Sequence, residues 1–87
     1  MSDTSTPVTV RFFAAAGAAA GSERLTLSLS TPATVDDAIR ELSHRSDTLA
    51  LVLQKCSFLC DGVAVRDRSI VLRADQTLDV LPPFAGG

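Results

Sequence analysis

The last seven residues, Leu81-Pro82-Pro83-Phe84-Ala85-Gly86-Gly87, hold most of the chemistry this chain offers. Pro82 and Pro83 cannot donate to a β-ladder, so they end a preceding strand and favour an extended course away from it. Gly86 and Gly87 have no Cβ, which lets bare backbone enter a channel too narrow for side chains. The chain thus ends as a slim arm bearing a carboxylate. With a reference pKa of about 3.3–3.7 that group is ionised at neutral pH, a poor acyl donor until one oxygen becomes part of a leaving group. Adenylation by ATP does this. An acyl-adenylate at Gly87 can accept sulfur to become a thiocarboxylate, or pass to a thiol or an amine. Each outcome needs a free C-terminal glycine. Without such chemistry the same glycines read as a frayed end, although a strand, two prolines and an aromatic before them argue against it.

Other reactive residues are few. The two cysteines, Cys56 and Cys60, sit four apart. On one strand their Cα atoms would be separated by about 13 Å, beyond disulfide reach. The single histidine, His44, stands at no metal-ligand spacing from them, so no metal site is expected and buried thiols in a reducing compartment are the simpler reading. His44 has no recognisable nucleophile to serve and reads as a cap or a solvated residue near a helix end. A nucleophile elbow and a phosphate-binding glycine loop are also missing, so an independent enzyme is disfavoured.

The 87 residues, 46% of them apolar, suit one small domain and rule out a multidomain enzyme. So small a core has little room for an enclosed ligand pocket, which places function on the surface or at a terminus. Eight Lys+Arg against ten Asp+Glu leave a net charge of −2, the cations are scattered, and neither Trp nor Tyr occurs. Nucleic acid is therefore not an expected partner. Phe12 to Gly21, FFAAAGAAAG, is too short to span a bilayer and too poor in basic flank for a signal peptide. A cytoplasmic protein with no membrane partner is expected.

The elements that must carry the tail are legible from periodicity. Residues 1–6, MSDTST, offer nothing to bury and read as a disordered leader, with the fold beginning near Pro7. Val8, Val10 and Phe12 alternate with Thr9, Arg11 and Phe13, and Leu25, Leu27 and Leu29 alternate with Thr26, Ser28 and Ser30, giving two strands. The alanines between them suit one or two helical turns. Thr34 is a helix N-cap ahead of Asp36 and Asp37, and Val35, Ala38, Ile39 and Leu42 form an apolar stripe. Leu49, Val52 and Leu53 suggest a second, brief helix. Cys56, Phe58 and Cys60 share one side of a strand that turns at Asp61-Gly62 into Val63–Val65. An apolar cluster at Ile70–Leu72 and a polar turn at Asp75-Gln76 precede the last strand, Leu78–Leu81.

Strand, strand, helix, short helix and three strands describe an α+β roll, a mixed sheet packed on one main helix. The β-grasp arrangement fits this order, with first and last strands side by side at the centre of the sheet. The implied boundaries are a leader at 1–6, a β-grasp domain at 7–83 and a flexible Gly-Gly tail at 84–87.

From Val8 to Gly87 the sequence resembles the MoaD/ThiS family of ubiquitin-like sulfur carriers, particularly the small subunit of molybdopterin synthase. The resemblance rests on VTVRFFA, TVDDAIREL, FLCDGVAV, LDVLPPF and the terminal AGG. It implies that Gly87 is adenylated by an ATP-dependent activating enzyme and becomes a thiocarboxylate. The tail would then enter the active site of a synthase large subunit and donate sulfur for molybdenum cofactor biosynthesis. It implies no stably bound cofactor, since ATP is used by the activating enzyme, and a chain that is not catalytic alone. Carried over to this sequence, Gly87 bears the sulfur, Gly86 is its slim neighbour, and Pro83, Phe84 and Ala85 are docking residues. Phe13, if it faces away from the helix, belongs to the partner-facing sheet surface.

Two departures stand out. AAAGAAAG replaces a more charged helical segment usual after the first strand, and Ala85 stands where many relatives have Ser or Thr. Neither touches the terminal chemistry. The same tail would also serve a carrier for thiamine thiazole or cysteine biosynthesis, or a ubiquitin-like modifier joined to lysines. A plain interaction module would not need it.

Overall fold

A computed structural model describes residues 5–83 of the chain. Seven strands and three helices follow in the order β1 (Ser5–Phe12), α1 (Ala15–Ala20), β2 (Arg24–Ser30), β3 (Ala33–Thr34), α2 (Val35–Arg45), α3 (Asp47–Leu53), β4 (Ser57–Cys60), β5 (Val63–Ala64), β6 (Val71–Leu72) and β7 (Gln76–Leu81). The main sheet has the order β2-β1-β7-β4-β5. β1 and β7 are parallel neighbours at its centre, with Val10 level with Leu78 and Phe12 level with Val80. This is the expected α+β mixed sheet in the ubiquitin-like β-grasp arrangement.

Period-2 alternation decides which face is covered. Val8, Val10, Phe12, Leu27, Leu29, Phe58, Cys60, Leu78 and Val80 are buried on one side of the sheet. Val35, Ala38, Ile39 and Leu42 of α2, with Leu49 and Leu53 of α3, close over them. Leu42 and Leu49 are almost wholly enclosed, so truncating either to Ala costs about 2–5 kcal/mol. α2 starts in a full capping box: Thr34 Oγ1 accepts from the Asp37 amide at 3.1 Å, and Asp37 Oδ2 accepts from the Thr34 amide at 2.9 Å. Ser46 ends α2 and caps α3, its Oγ accepting from Leu49 N.

Some expectations need correction. β1 begins at Ser5, so Ser5 and Thr6 belong to the sheet and not to a leader; residues 1–4 lie outside the described residues. Thr6 is buried, and its Oγ1 lies 2.6 Å from Thr31 Oγ1, which gives that hydroxyl the partner burial demands. Two-residue β3 and β6 form a separate ladder, Ala33 opposite Leu72 and Thr34 opposite Val71. The Ile70–Leu72 cluster is therefore partly a strand that clamps the start of α2, with Leu72 buried and Val71 exposed. The Asp61-Gly62 turn is as expected, both residues taking positive φ (49° and 83°), the requirement of a type I′ hairpin.

Candidate functional site

β7 carries the tail, and both of its flanks are paired. On one side the Phe13 amide donates to the Val80 carbonyl at 3.1 Å, continuing the β1 ladder by one residue. On the other, Leu81 is level with Ser57 of β4. Pro82 and Pro83 then leave the sheet, with Pro83 exposed. The last residues of β7 are thus held at the middle of a five-stranded sheet, with a paired strand on each side. Phe84, Ala85, Gly86 and Gly87 lie outside the described residues.

Beside that end of β7 the uncovered face of the sheet carries Arg11, Phe13, Leu59, Asp79 and Leu81. Arg11 and Asp79 occupy level positions on β1 and β7. Arg11 Nε donates to Asp79 Oδ1 at 2.7 Å and its Nη2 to Oδ2 at 2.9 Å, a fork-on-fork geometry. The Asp79 side chain is only 7% exposed and that of Arg11 44%, so the guanidinium lids the carboxylate and meets solvent itself. Hydrogen bonding to Asp79, and then its charge, hold the Arg11 pKa above its ordinary value. The same guanidinium lies 5.5 Å from the Phe13 ring centroid. Phe13, 39% exposed, therefore shares the sheet face of Arg11, opposite the one that α2 and α3 cover, and is braced by Arg11 next to the end of β7.

The Phe13 backbone leads into α1 through a tight turn. Ala16 N donates to Phe13 O at 3.0 Å, and Ala14 takes φ 50° and ψ −128°, the first central position of a type II′ turn. Gly21 closes α1 with φ 74°, its amide donating to Gly17 O. Phe13, Ala14, Gly17, Ala18 and Gly21 line an open groove of about 910 Å³ on the surface beside the arm's root. The alanine-rich segment thus forms the predicted short helix.

The remaining sequence candidates are not gathered here. His44 is exposed on α2. Cys56 and Cys60 are unpaired, buried thiols whose pKa values are pushed up by burial, and Cys56 Sγ donates to Val52 O at 3.2 Å. Among the described residues no group of three or more His, Cys, Asp or Glu is placed to hold a metal ion, and no helix is long and apolar enough to cross a membrane. Sequence reading missed the Arg11–Asp79 pair. Its signal was an acid and a base, each the charged residue between apolar neighbours of the same strand.

A sequence profile of the ThiS family matches residues 10–87, from the middle of β1 through the last glycine. The chain belongs to the ThiS family. As a ThiS-family protein it falls among the ThiS/MoaD-like ubiquitin-like sulfur carriers, the group its motifs resemble. No curated protein matches it. Among solved structures it is similar to the HVO 2177 protein of Haloferax volcanii, at 27% identity and a TM-score of 0.86, over 100% of this chain and 92% of that one. It is also similar to SAMP1 of Haloferax volcanii, at 25% identity and a TM-score of 0.82, over 93% and 99%. Subunit 1 or 2 in a complex of the molybdopterin-converting factor from Helicobacter pylori shares the fold, at 20% identity and a TM-score of 0.69, over 94% and 100%.

Proposed function

We propose that this ThiS-family chain is the sulfur-donating small subunit of a molybdopterin synthase, working in the cytoplasm in molybdenum cofactor biosynthesis. An ATP-dependent activating enzyme adenylates Gly87. A sulfur donor then replaces AMP and leaves a thiocarboxylate, which the tail presents inside a large subunit. Within the carrier, Pro83, Phe84, Ala85, Gly86 and Phe13 contact the partner; no cofactor stays bound. The carrying observation is that the family match runs to Gly87, at the end of an arm rooted between β1 and β4. The Helicobacter pylori complex supports a large-subunit partner, because the same fold occurs there in a two-subunit assembly.

Sulfur is transferred without any side chain acting as nucleophile in the carrier. With hydrosulfide as the sulfur donor, its sulfur attacks the adenylate's carbonyl carbon, a C–S bond forms, the bond from that carbon to the AMP phosphate oxygen breaks and AMP leaves with the electron pair. Loss of the remaining S–H proton to solvent leaves a thiocarboxylate, a soft, charged sulfur at the tip. Bare glycine backbone lets that tip pass a narrow channel, while Phe13 and its Arg11 brace stay outside as the docking face.

Intact-protein mass spectrometry after incubation with ATP, an activating enzyme and a sulfur donor tests this. The expected result is a mass gain equal to one oxygen replaced by sulfur, absent when Gly87 is deleted although the deleted chain still folds. No gain with an activating enzyme proven on another carrier overturns it. A second reading, a modifier joined to lysines, is favoured by the likeness to SAMP1. Adducts on target proteins that survive reducing agent would favour that reading, and co-purification with a large subunit the first.

A further inference from the structure

The main sheet ends on two unlike edges. β5, at one, is only two residues long, a guard that natural sheets use against pairing with other chains. β2, at the other, runs for seven residues with no proline and no charge after Arg24.

The ladder with β1 shows which backbone groups of β2 are open. The Phe12 amide donates to the Glu23 carbonyl at 2.9 Å, which makes these two a hydrogen-bonded pair. Bonded pairs alternate along an antiparallel ladder, so Leu25, Leu27 and Leu29 are the residues bonded to Val10, Val8 and Thr6. Pro7, which has no N–H, stands opposite Ser28 and fits that alternation. Arg24, Thr26, Ser28 and Ser30 therefore turn their N–H and C=O groups outward. Ser22 Oγ closes the first of these, accepting from the Arg24 amide at 3.2 Å and donating to the Arg24 carbonyl at 2.6 Å. Thr26, Ser28 and Ser30 are exposed, and among the described residues nothing outside the ladder bonds their backbone.

We propose that the open edge of β2 pairs with β2 of a second copy of this chain, antiparallel and centred on Ser28, so that one sheet continues across both chains. The open set is its own complement. After half a turn Thr26 meets Ser30 of the other copy, Ser28 meets Ser28, and every outward N–H and C=O of the three residues finds a partner. A slip toward Arg24 would set Ser30 against the residue that Ser22 has capped. A slip the other way would set Thr26 against Pro32, which has no N–H.

Side chains agree with this register. Serines and threonines face one another on one side of the joint sheet, Leu27 meets Leu29 on the other, and residues 25–33 bring no like charges together. Beyond the paired residues the charges are opposite. Glu23, on the leucine side of β2, arrives where Arg40 and His44 of the other copy line a groove with Leu29, Ser30 and Pro32. Asp37 and Glu41 line it too, but Asp37 is held by the Thr34 amide, and Arg40 reaches Asp36 and Asp37 only at 3.5 Å, which leaves it free to turn to Glu23. A strand-sized contact is smaller than a permanent interface, so the dimer depends on concentration. β1 lies between β2 and β7, and the pairing does not rest on the function proposed above.

Sedimentation equilibrium of the full chain from about 10 μM to 1 mM tests this. A mass rising from one chain to two is expected. Ser28→Pro keeps the β1–β2 bonds, because the N–H it removes points outward, and should raise the dimer dissociation constant about tenfold or more through two lost hydrogen bonds at the axis. Since Ser28 faces itself, Ser28→Lys and Ser28→Glu should each stay monomeric where the parent pairs, while their equimolar mixture associates. Circular dichroism checks that each variant is folded; if Ser28→Pro unfolds, the mixture decides. A parent that is still monomeric at about 1 mM overturns the proposal and leaves the edge to an extended segment of another protein. A dimer untouched by these substitutions, or a mixture that associates no better than its components, overturns it as well.

Discussion

Arg11 and Asp79 stand level on the parallel central strands, and the arginine grips both carboxylate oxygens, at 2.7 and 2.9 Å, while leaning on Phe13. One side chain thereby links the strand that carries the arm to the aromatic beside its root.

Arg11→Ala should lower the urea midpoint, because it strips the lid from a buried carboxylate. Arg40→Ala provides the contrast: its pairs with Asp36 and Asp37 are 3.5 Å long and exposed, so the midpoint should hardly move. Equal losses in the two variants would show that the Arg11–Asp79 pair has no special standing.

Phe13→Ala tests docking separately from folding. Phe13 is 39% exposed, and its removal should cost about 0.5–1 kcal/mol of stability, the loss of its contact with Arg11. Affinity for the large subunit, measured by calorimetry, should fall more than roughly tenfold. The neighbouring Phe12 is buried at 4% exposure, and Phe12→Ala should cost about 3–5 kcal/mol of stability.

Ala14→Gly should stabilise the fold. Ala14 holds φ 50°, where a Cβ is strained and type II′ turns favour glycine. Relief of that strain, worth about 1–3 kcal/mol, outweighs the extra backbone entropy glycine brings to the unfolded chain, about 0.4–1 kcal/mol. Thermal melting would show a raised Tm; a lowered Tm would mean that the turn is unstrained.

The Asp61 carboxylate accepts the Thr77 amide at 2.9 Å and Gln76 Nε2 at 3.1 Å, and these bonds, the backbone one first, hold its pKa below the usual carboxylate range. A pKa lowered by folding adds stability above the unfolded value of about 3.9, and that stability is lost as pH falls through the folded value. Asp61→Asn, which keeps the turn's conformational preference, should therefore unfold more easily than the parent near neutrality. Urea titrations should show the gap closing below about pH 4. A gap independent of pH would assign the difference to the turn and not to the charge.

Much of this protein is written in local pattern. Alternation from Val8 to Phe12 and from Leu25 to Leu29, the stripe Val35–Ala38–Ile39–Leu42 and the Asp61-Gly62 turn each name an element, because period and turn chemistry are properties of neighbouring residues. The proline pair and terminal glycines likewise state their chemistry without a fold. Tertiary structure alone decided what depends on residues far apart in the chain. Thr6 joins β1 because Thr31 satisfies its buried hydroxyl. Ala33–Thr34 and Val71–Leu72 become strands only by pairing with each other, since two residues are too few to show a period. Arg11 meets Asp79 through the register of β7 with β1. Register is set by packing the whole apolar face at once, where a slip of one residue would turn every buried side chain outward.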